Sequence, residues 1–206
     1  MNLKKGFFER KTDPIKILHD DEQASANIAS EILTLLPVAG IQPIVIACIG
    51  TDRSTGDSLG PLVGTFLEEK NLPNFHIYGT LDDPIHAVNL SDKLQMIQES
   101  HHQPFIIGID ACLGRIKSVG SIQIGDGPVK PGAGVNKELP SVGDMHITGI
   151  VNVSGFMEFF VLQNTRLNLV LKMARTMAEG IYQSSQQYSR KQLWFQMKLN
   201  EEERTP

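Results

Sequence analysis

A short apolar run that ends in a glycine-rich bend constrains this chain more than any other feature. Residues Ile44 to Ile49 are apolar without interruption and follow Pro43. A run this short and this apolar reads as a strand buried on both faces. The bend is Gly50-Thr51-Asp52-Arg53-Ser54-Thr55-Gly56-Asp57-Ser58-Leu59-Gly60-Pro61. Residues 59–70 then read as a helix, with Pro61 in the first turn, where a missing N–H is tolerated. Strand, bend and helix put the bend at the carboxyl edge of a sheet, where open α/β folds keep their sites. Gly50 and Gly56 let the backbone turn where a Cβ would clash. A phosphate loop would follow its second glycine with Lys and Ser or Thr; here Asp57-Ser58 follow Gly56. A carboxylate repels phosphate, and the glycine spacing fits no dinucleotide fingerprint. The bend therefore points away from nucleotides and toward carboxylate chemistry.

The pattern around this unit predicts an α/β chain. Residues 1–19 read as a loose leader, 20–188 as one domain and 189–206 as a polar tail. Asp20, Asp21 and Glu22 bring acidic charge to a helix start, which suits the macrodipole. Ile28, Ile32, Leu35 and Leu36 follow at helical spacing and stop at Pro37. Short strands are expected at 75–78, at 105–109 ending in Asp110, at 121–124 and at 146–153. A helix is expected at 89–99, and another where Leu167, Val170, Leu171, Ala174, Met177, Ala178 and Ile181 keep one face. Residues 125–143 are rich in Gly and Pro and read as a long loop, a common place for function. Strands alternating with helices argue for a mostly parallel sheet covered on both faces, a three-layer α/β/α arrangement.

Composition removes several classes of function. With 206 residues and 41% apolar content the chain can bury one good-sized core. A net charge of only -4 creates no field that favours nucleic acid or anionic membranes. No run reaches the roughly 20 apolar residues that span a bilayer. The first residues carry lysines and phenylalanines but no apolar segment of the secretory type. Cys48 and Cys112 lie at or just after apolar runs and read as buried small hydrophobes in a reducing compartment. A cytoplasmic protein with no membrane span and no direct nucleic-acid partner is expected.

The candidate chemistry rests on two aspartates and a histidine. Alone, Asp57 reads first as the cap of the helix that follows it. Asp110, at the end of a second buried-type strand, changes that reading. If the two strands are neighbours, Asp57 and Asp110 face one crevice. Two carboxylates close together do not both ionise easily, so one keeps a proton as general acid while the other activates a water. Such a pair suits amide hydrolysis; the alternative is two loop carboxylates that never meet. His146 follows the long loop and has two readings. It hydrogen-bonds within its strand or tunes the pair, or it joins Asp57 and Asp110 in holding a divalent metal such as nickel or zinc. No cofactor is expected in the first reading. His101-His102 reads as a helix-end charge partner, no G-x-S-x-G elbow is present, and Cys112 is a minor nucleophile candidate.

At these residues the chain resembles a known group. Thr55-Gly56-Asp57-Ser58-Leu59-Gly60-Pro61-Leu62-Val63 resembles the Asp-x-Leu-Gly-Pro segment of the spore germination protease. Ile107-Gly108-Ile109-Asp110-Ala111 resembles that family's strand ending in its second essential aspartate. Pro131-Gly132-Ala133-Gly134-Val135 resembles its glycine-rich loop, and the order of the three agrees. Over nearly its whole length the chain is similar to the YyaC-type sporulation proteins, described as candidate spore proteases. The resemblance implies a phosphorylase/hydrolase-like fold shared with the hydrogenase maturation endopeptidases. It gives Asp57 and Asp110 an acid-protease-like role on small acid-soluble spore proteins. In the hydrogenase endopeptidases the matching carboxylates and a later His bind nickel of the substrate, and His146 is placed like that His. Gly50, Gly56, Gly60, Gly132 and Gly134 would then shape the crevice and admit a substrate backbone. The resemblance also implies a mother cell or forespore location. Packing of the tail pair Trp194-Phe195 on the domain or on a second subunit of a homo-oligomer stays open.

Overall fold

The computed structural model describes residues 14–37, 42–70, 72, 74–132 and 139–202, with side chains described as far as residue 194. In chain order the elements are β1 (Ile15–Leu18), α1 (Ala24–Leu35), β2 (Ile44–Cys48), α2 (Leu59–Glu68), β3 (Phe75–Tyr78) and α3 (Leu90–Ser100). They continue with β4 (Phe105–Gly114), β5 (Ser121–Asp126), β6 (Met145–Val153), α4 (Glu158–Gln163) and α5 (Leu167–Glu202). The strands form a six-stranded sheet in the order β1-β5-β6-β4-β2-β3. The four strands from β6 to β3 are parallel, and β5 and β1 add an antiparallel edge. This is the expected α/β/α architecture with a mixed rather than wholly parallel sheet.

Strand alternation sorts the core into two layers. Ile44, Ile46 and Cys48 of β2 and Ile107 and Ile109 of β4 face α1, α2 and α5, where Ile28, Ile32, Val63, Met173, Met177 and Ile181 are buried with them. Val45 and Ala47 of β2 face the other way, with Ile49 and Ile106, onto Leu90 and Ile97 of α3. Every residue of β2 is buried, which is why the run is apolar at every position rather than at every second one.

Several boundaries differ from expectation. Residues 15–18, expected in a loose leader, form β1 and pair with β5 from Ile15↔Ile124 to Leu18↔Ser121. Only Ile17 of β1 is buried, so this four-residue edge strand is too short and exposed to stand out in the sequence. The first helix starts at Ala24, after the acidic cluster, and Asp21 instead accepts the Gln23 N–H at 2.8 Å. β4 does not stop at Asp110; it runs to Gly114 because β6 supplies partners beyond that point, Asp110↔Thr148 among them. α4, a six-residue helix, was not expected. α5 continues beyond the apolar face that ends at Ile181 and through the segment expected as a polar tail, to Glu202. Among the described residues no helix is long and apolar enough to cross a membrane.

Candidate active site

The order of the parallel strands fixes where a crevice opens. From β2 the chain moves through α2 to β3 on one side, then through α3 back across β2 to β4 on the other. The carboxyl ends of β2 and β4 therefore flank a topological switch point, the place where open sheets leave a gap. A cavity of about 500 Å³ lies there. Asp57, on the bend after β2, and Asp110, within β4, both line it. The pair proposed from sequence is thus brought to one wall.

The bend is held from three directions. Gly50 N–H donates to Ile85 O at 2.8 Å, Thr51 N–H to Asp57 O at 3.1 Å, and Gly56 N–H to Leu162 O of α4 at 2.8 Å. Gly50 has φ +149°, and a Cβ there would lie 1.9 Å from Asp57 O. A side chain at Gly50 would push the Asp57 backbone out of place. A Cβ on Gly60 would lie 2.1 Å from Ile49 O, so this glycine lets α2 seat against the end of β2. Gly50 and Gly132 line the cavity, whereas Gly56 abuts Leu162 behind it. Gly134 lies outside the described residues.

Asp57 does not cap α2. The cap position belongs to Ser58, which makes no side-chain cap bond and instead donates to Thr55 O at 2.7 Å. The Asp57 carboxyl is left facing the cavity, with its pKa raised above the ordinary value by loss of water. The Ser54 hydroxyl lies close enough to offset part of that rise, yet it completes no hydrogen bond to any described residue. The carboxyl of Asp110, on a half-buried residue lining the cavity, is pushed well above the usual carboxylate range. Burial is the main cause, Ala111 N–H opposes it by donating to Oδ1 at 2.8 Å, and the negative charge of Asp57 adds to it. One carboxyl thus holds its proton more firmly than the other, and the charge of Asp57 is part of the reason. That asymmetry allows a water to meet a base and an acid in one crevice.

His146 is not part of this wall. It pairs with Gly108 across β4 and β6, two residues short of the Asp110 level, about 7 Å back along the strand. Its Nδ1–H donates to Gly127 O at 2.9 Å and its ring packs against Gly125. Of the two readings offered for His146, its contacts match the strand hydrogen bond. The ligand set Asp57, Asp110 and His146 is not assembled, and among the described residues no group of three or more His, Cys, Asp or Glu is placed to hold a metal ion. Burial raises the Cys112 thiol to about 11, so it is not an ionised nucleophile at neutral pH. His101, expected as a charge partner, instead stacks on His76 at 4.3 Å between ring centroids and pairs with the Tyr78 hydroxyl at 2.8 Å. Burial and His76 lower its pKa.

The cavity also contains residues that sequence reasoning did not select. His86 and Val88 enter from the β3–α3 loop, and Phe159 and Gln163 from α4. Exposed Val88 and Phe159 put apolar surface on the cavity rim, beside the exposed Asp52, Arg53 and Gln163. The one sequence signal for the first group is Asn89, three residues after His86 and just before α3.

Three comparisons place the chain among known proteins. The family model described as "Protein of unknown function (DUF1256)" matches residues 16–180. A relative in Bacillus subtilis (strain 168), "Uncharacterized protein YyaC", is 60% identical over 183 residues, covering 88% of this chain and 89% of the relative. The crystal structure of the [NiFe] hydrogenase maturation protease HycI from Thermococcus kodakarensis KOD1 is similar in fold, with a TM-score of 0.51 and 19% identity. That match covers 75% of this chain and 98% of HycI.

Proposed function

For a chain that belongs to the DUF1256 family, we propose an endopeptidase in which Asp57 and Asp110 hydrolyse a peptide bond through one shared water. The observation that carries this reading is that Asp57 and Asp110 line one cavity at the switch point, where the charge of Asp57 helps Asp110 hold its proton. The protease fold of HycI supports it as a scaffold, and fold alone does not establish activity.

The chemistry follows from the two environments. Asp57, the more easily ionised carboxyl, takes a proton from water as the water oxygen bonds to the peptide carbonyl carbon. Asp110 gives its proton to the carbonyl oxygen, leaving a neutral gem-diol. Asp57 then passes its proton to the amide nitrogen as the C–N bond breaks. Asp110 recovers a proton from one of the diol hydroxyls, which restores the carboxyl group of the product. Protons balance, and both aspartates return to their starting states.

Protein substrates fit a cavity with apolar surface on its rim, and the resemblance to the germination protease makes small acid-soluble spore proteins the first substrates to try. Sporulation in the cytoplasm of a spore-forming cell is the setting we propose. The test is cleavage of such a protein, followed by mass spectrometry, with wild type, Asp57→Asn and Asp110→Asn. Each variant should lose at least 10²-fold in rate. Equal cleavage by all three would remove the aspartate pair, and no cleavage by wild type would remove the peptidase reading.

A further inference from the structure

Ser54 and His86 share the cavity with the two aspartates, and the mechanism above uses neither. Ser54 Oγ is the one buried side-chain polar atom among the described residues with no hydrogen-bond partner, on a residue only 5% exposed. It lies near enough to the Asp57 carboxyl to lower that group's pKa, and a buried hydroxyl in a cavity wall that falls short of full hydrogen-bond geometry is a place for a ligand's polar atom.

His86 is held in a defined state by its loop. Asn89 Oδ1 accepts the His86 backbone N–H at 2.8 Å, and Asn89 Nδ2 donates to Pro84 O at 3.0 Å. These bonds fix the backbone of residues 84–89 independently of the imidazole. The Val88 backbone N–H then donates to His86 Nδ1 at 3.3 Å. An amide N–H can only donate, so Nδ1 is the acceptor and the neutral ring carries its proton on Nε2. That Nε2–H meets no partner among the described residues. His146 is the opposite case, since Gly127 O can only accept and therefore fixes its proton on Nδ1.

We propose that His86 is a substrate-contacting residue of this site, its Nε2–H donating to a carbonyl oxygen of the bound peptide beside the Ser54 hydroxyl. The proposal rests on the peptide reading of the cavity. A peptide presents carbonyl acceptors at every residue, and a ring N–H without a partner among the described residues, in the cavity of the two carboxyls, gives one of them a seat. The pairing explains why a site for acid–base chemistry also carries a histidine that is locked as a donor.

The test has two arms. Long-range ¹H–¹⁵N spectra of histidine-labelled full-length protein at pH 8 report the tautomers, with His86 assigned by the signals lost in His86→Gln. The expected result is Nε2–H for His86 and Nδ1–H for His146; Nδ1–H at His86 overturns the proposal whether or not the protein cleaves anything. The second arm measures anisotropy of a fluorescein-labelled small acid-soluble spore protein with Asp57→Asn, so that binding is read without turnover. Adding His86→Ala should weaken binding about tenfold, and His86→Gln, which retains an N–H donor, should recover part of that loss. Equal binding with and without His86→Ala overturns the proposal. Binding without cleavage by wild type would remove the peptidase reading while leaving His86 in place, and no binding at all would remove both.

Discussion

Replacing Asp110 with Asn should stabilise the protein, and by an amount that grows with pH. The carboxyl is buried on β4 beside the negative charge of Asp57, and both effects hold its proton in the folded state. In the unfolded chain Asp110 ionises near the ordinary value, about 3.9. Between that value and the raised folded one, the native state binds more protons than the unfolded state. Stability must then fall as pH rises, by up to about 1.4 kcal/mol per pH unit from this one group. Its contribution is fully present below the unfolded pKa and is lost as pH passes through the folded pKa. Asparagine has the same shape, can still accept the Ala111 N–H, and does not titrate. The gap between Asp110→Asn and wild type should therefore widen with each pH unit inside that window. For a chain of this length 1 kcal/mol moves Tm by about 2–4 °C, so the gap should open by up to about 3–6 °C per unit. Thermal and urea unfolding at pH 5, 6 and 7 would measure it. Asp57→Asn supplies an internal control, because removing that charge lowers the Asp110 pKa and closes the window at lower pH. Parallel stability curves for wild type and Asp110→Asn would show that Asp110 titrates normally, and the acid role would fall with it.

Three further outcomes follow from the packing and the thiols. Gly50→Ala should unfold or strongly destabilise the protein, by roughly 2 kcal/mol or more, since the Asp57 carbonyl occupies the Cβ position; a urea midpoint equal to wild type would contradict the close approach. His146→Ala should leave cleavage within about threefold of wild type while costing about 1 kcal/mol of stability from the lost bond to Gly127; a loss of activity comparable to Asp57→Asn would return His146 to the site. Cys112 should resist iodoacetamide at pH 7.5 and react as the pH nears about 11, with peptide mass spectrometry of the folded protein as the readout; rapid alkylation at neutral pH would mean a lowered thiol pKa.

The parts of the fold that could be read from sequence are those whose environment is uniform along the segment. β2 is buried at every residue and α2 and α3 keep one apolar face, so composition and periodicity found them. β1 is four residues long with a single buried side chain, and α4 is six residues carrying the exposed Phe159 and Phe160. Neither has a periodic signal, and both owe their form to partners remote in sequence. The same division holds in the site. Asp57 and Asp110 were legible because each follows an apolar strand, and the side of the sheet on which each strand ends follows from chain direction. The two readings of His146 could not be separated from sequence because its level along β6 depends on register, which no local pattern encodes. His86 was missed because a lone His between prolines and asparagines has no spacing to announce it.

The two aspartates are supported by different kinds of structure, and that difference matches their proposed roles. Asp110 sits inside β4, its strand paired with β2 on one side and β6 on the other. A carboxyl on such an element has its backbone fixed by both neighbours, which suits the fixed acid proposed for it. Asp57 sits on a bend whose position depends on Gly50, on Ile85 and on the carbonyl of Leu162 in α4. The base is therefore coupled to the elements that carry the apolar part of the rim, while the acid is coupled to the sheet. A peptide pressing on Phe159 or Val88 would bear on the same loops that aim Asp57 and present His86. Docking could in this way align the base and the carbonyl donor against an acid already in place, which is the order of events that differential binding of a transition state favours.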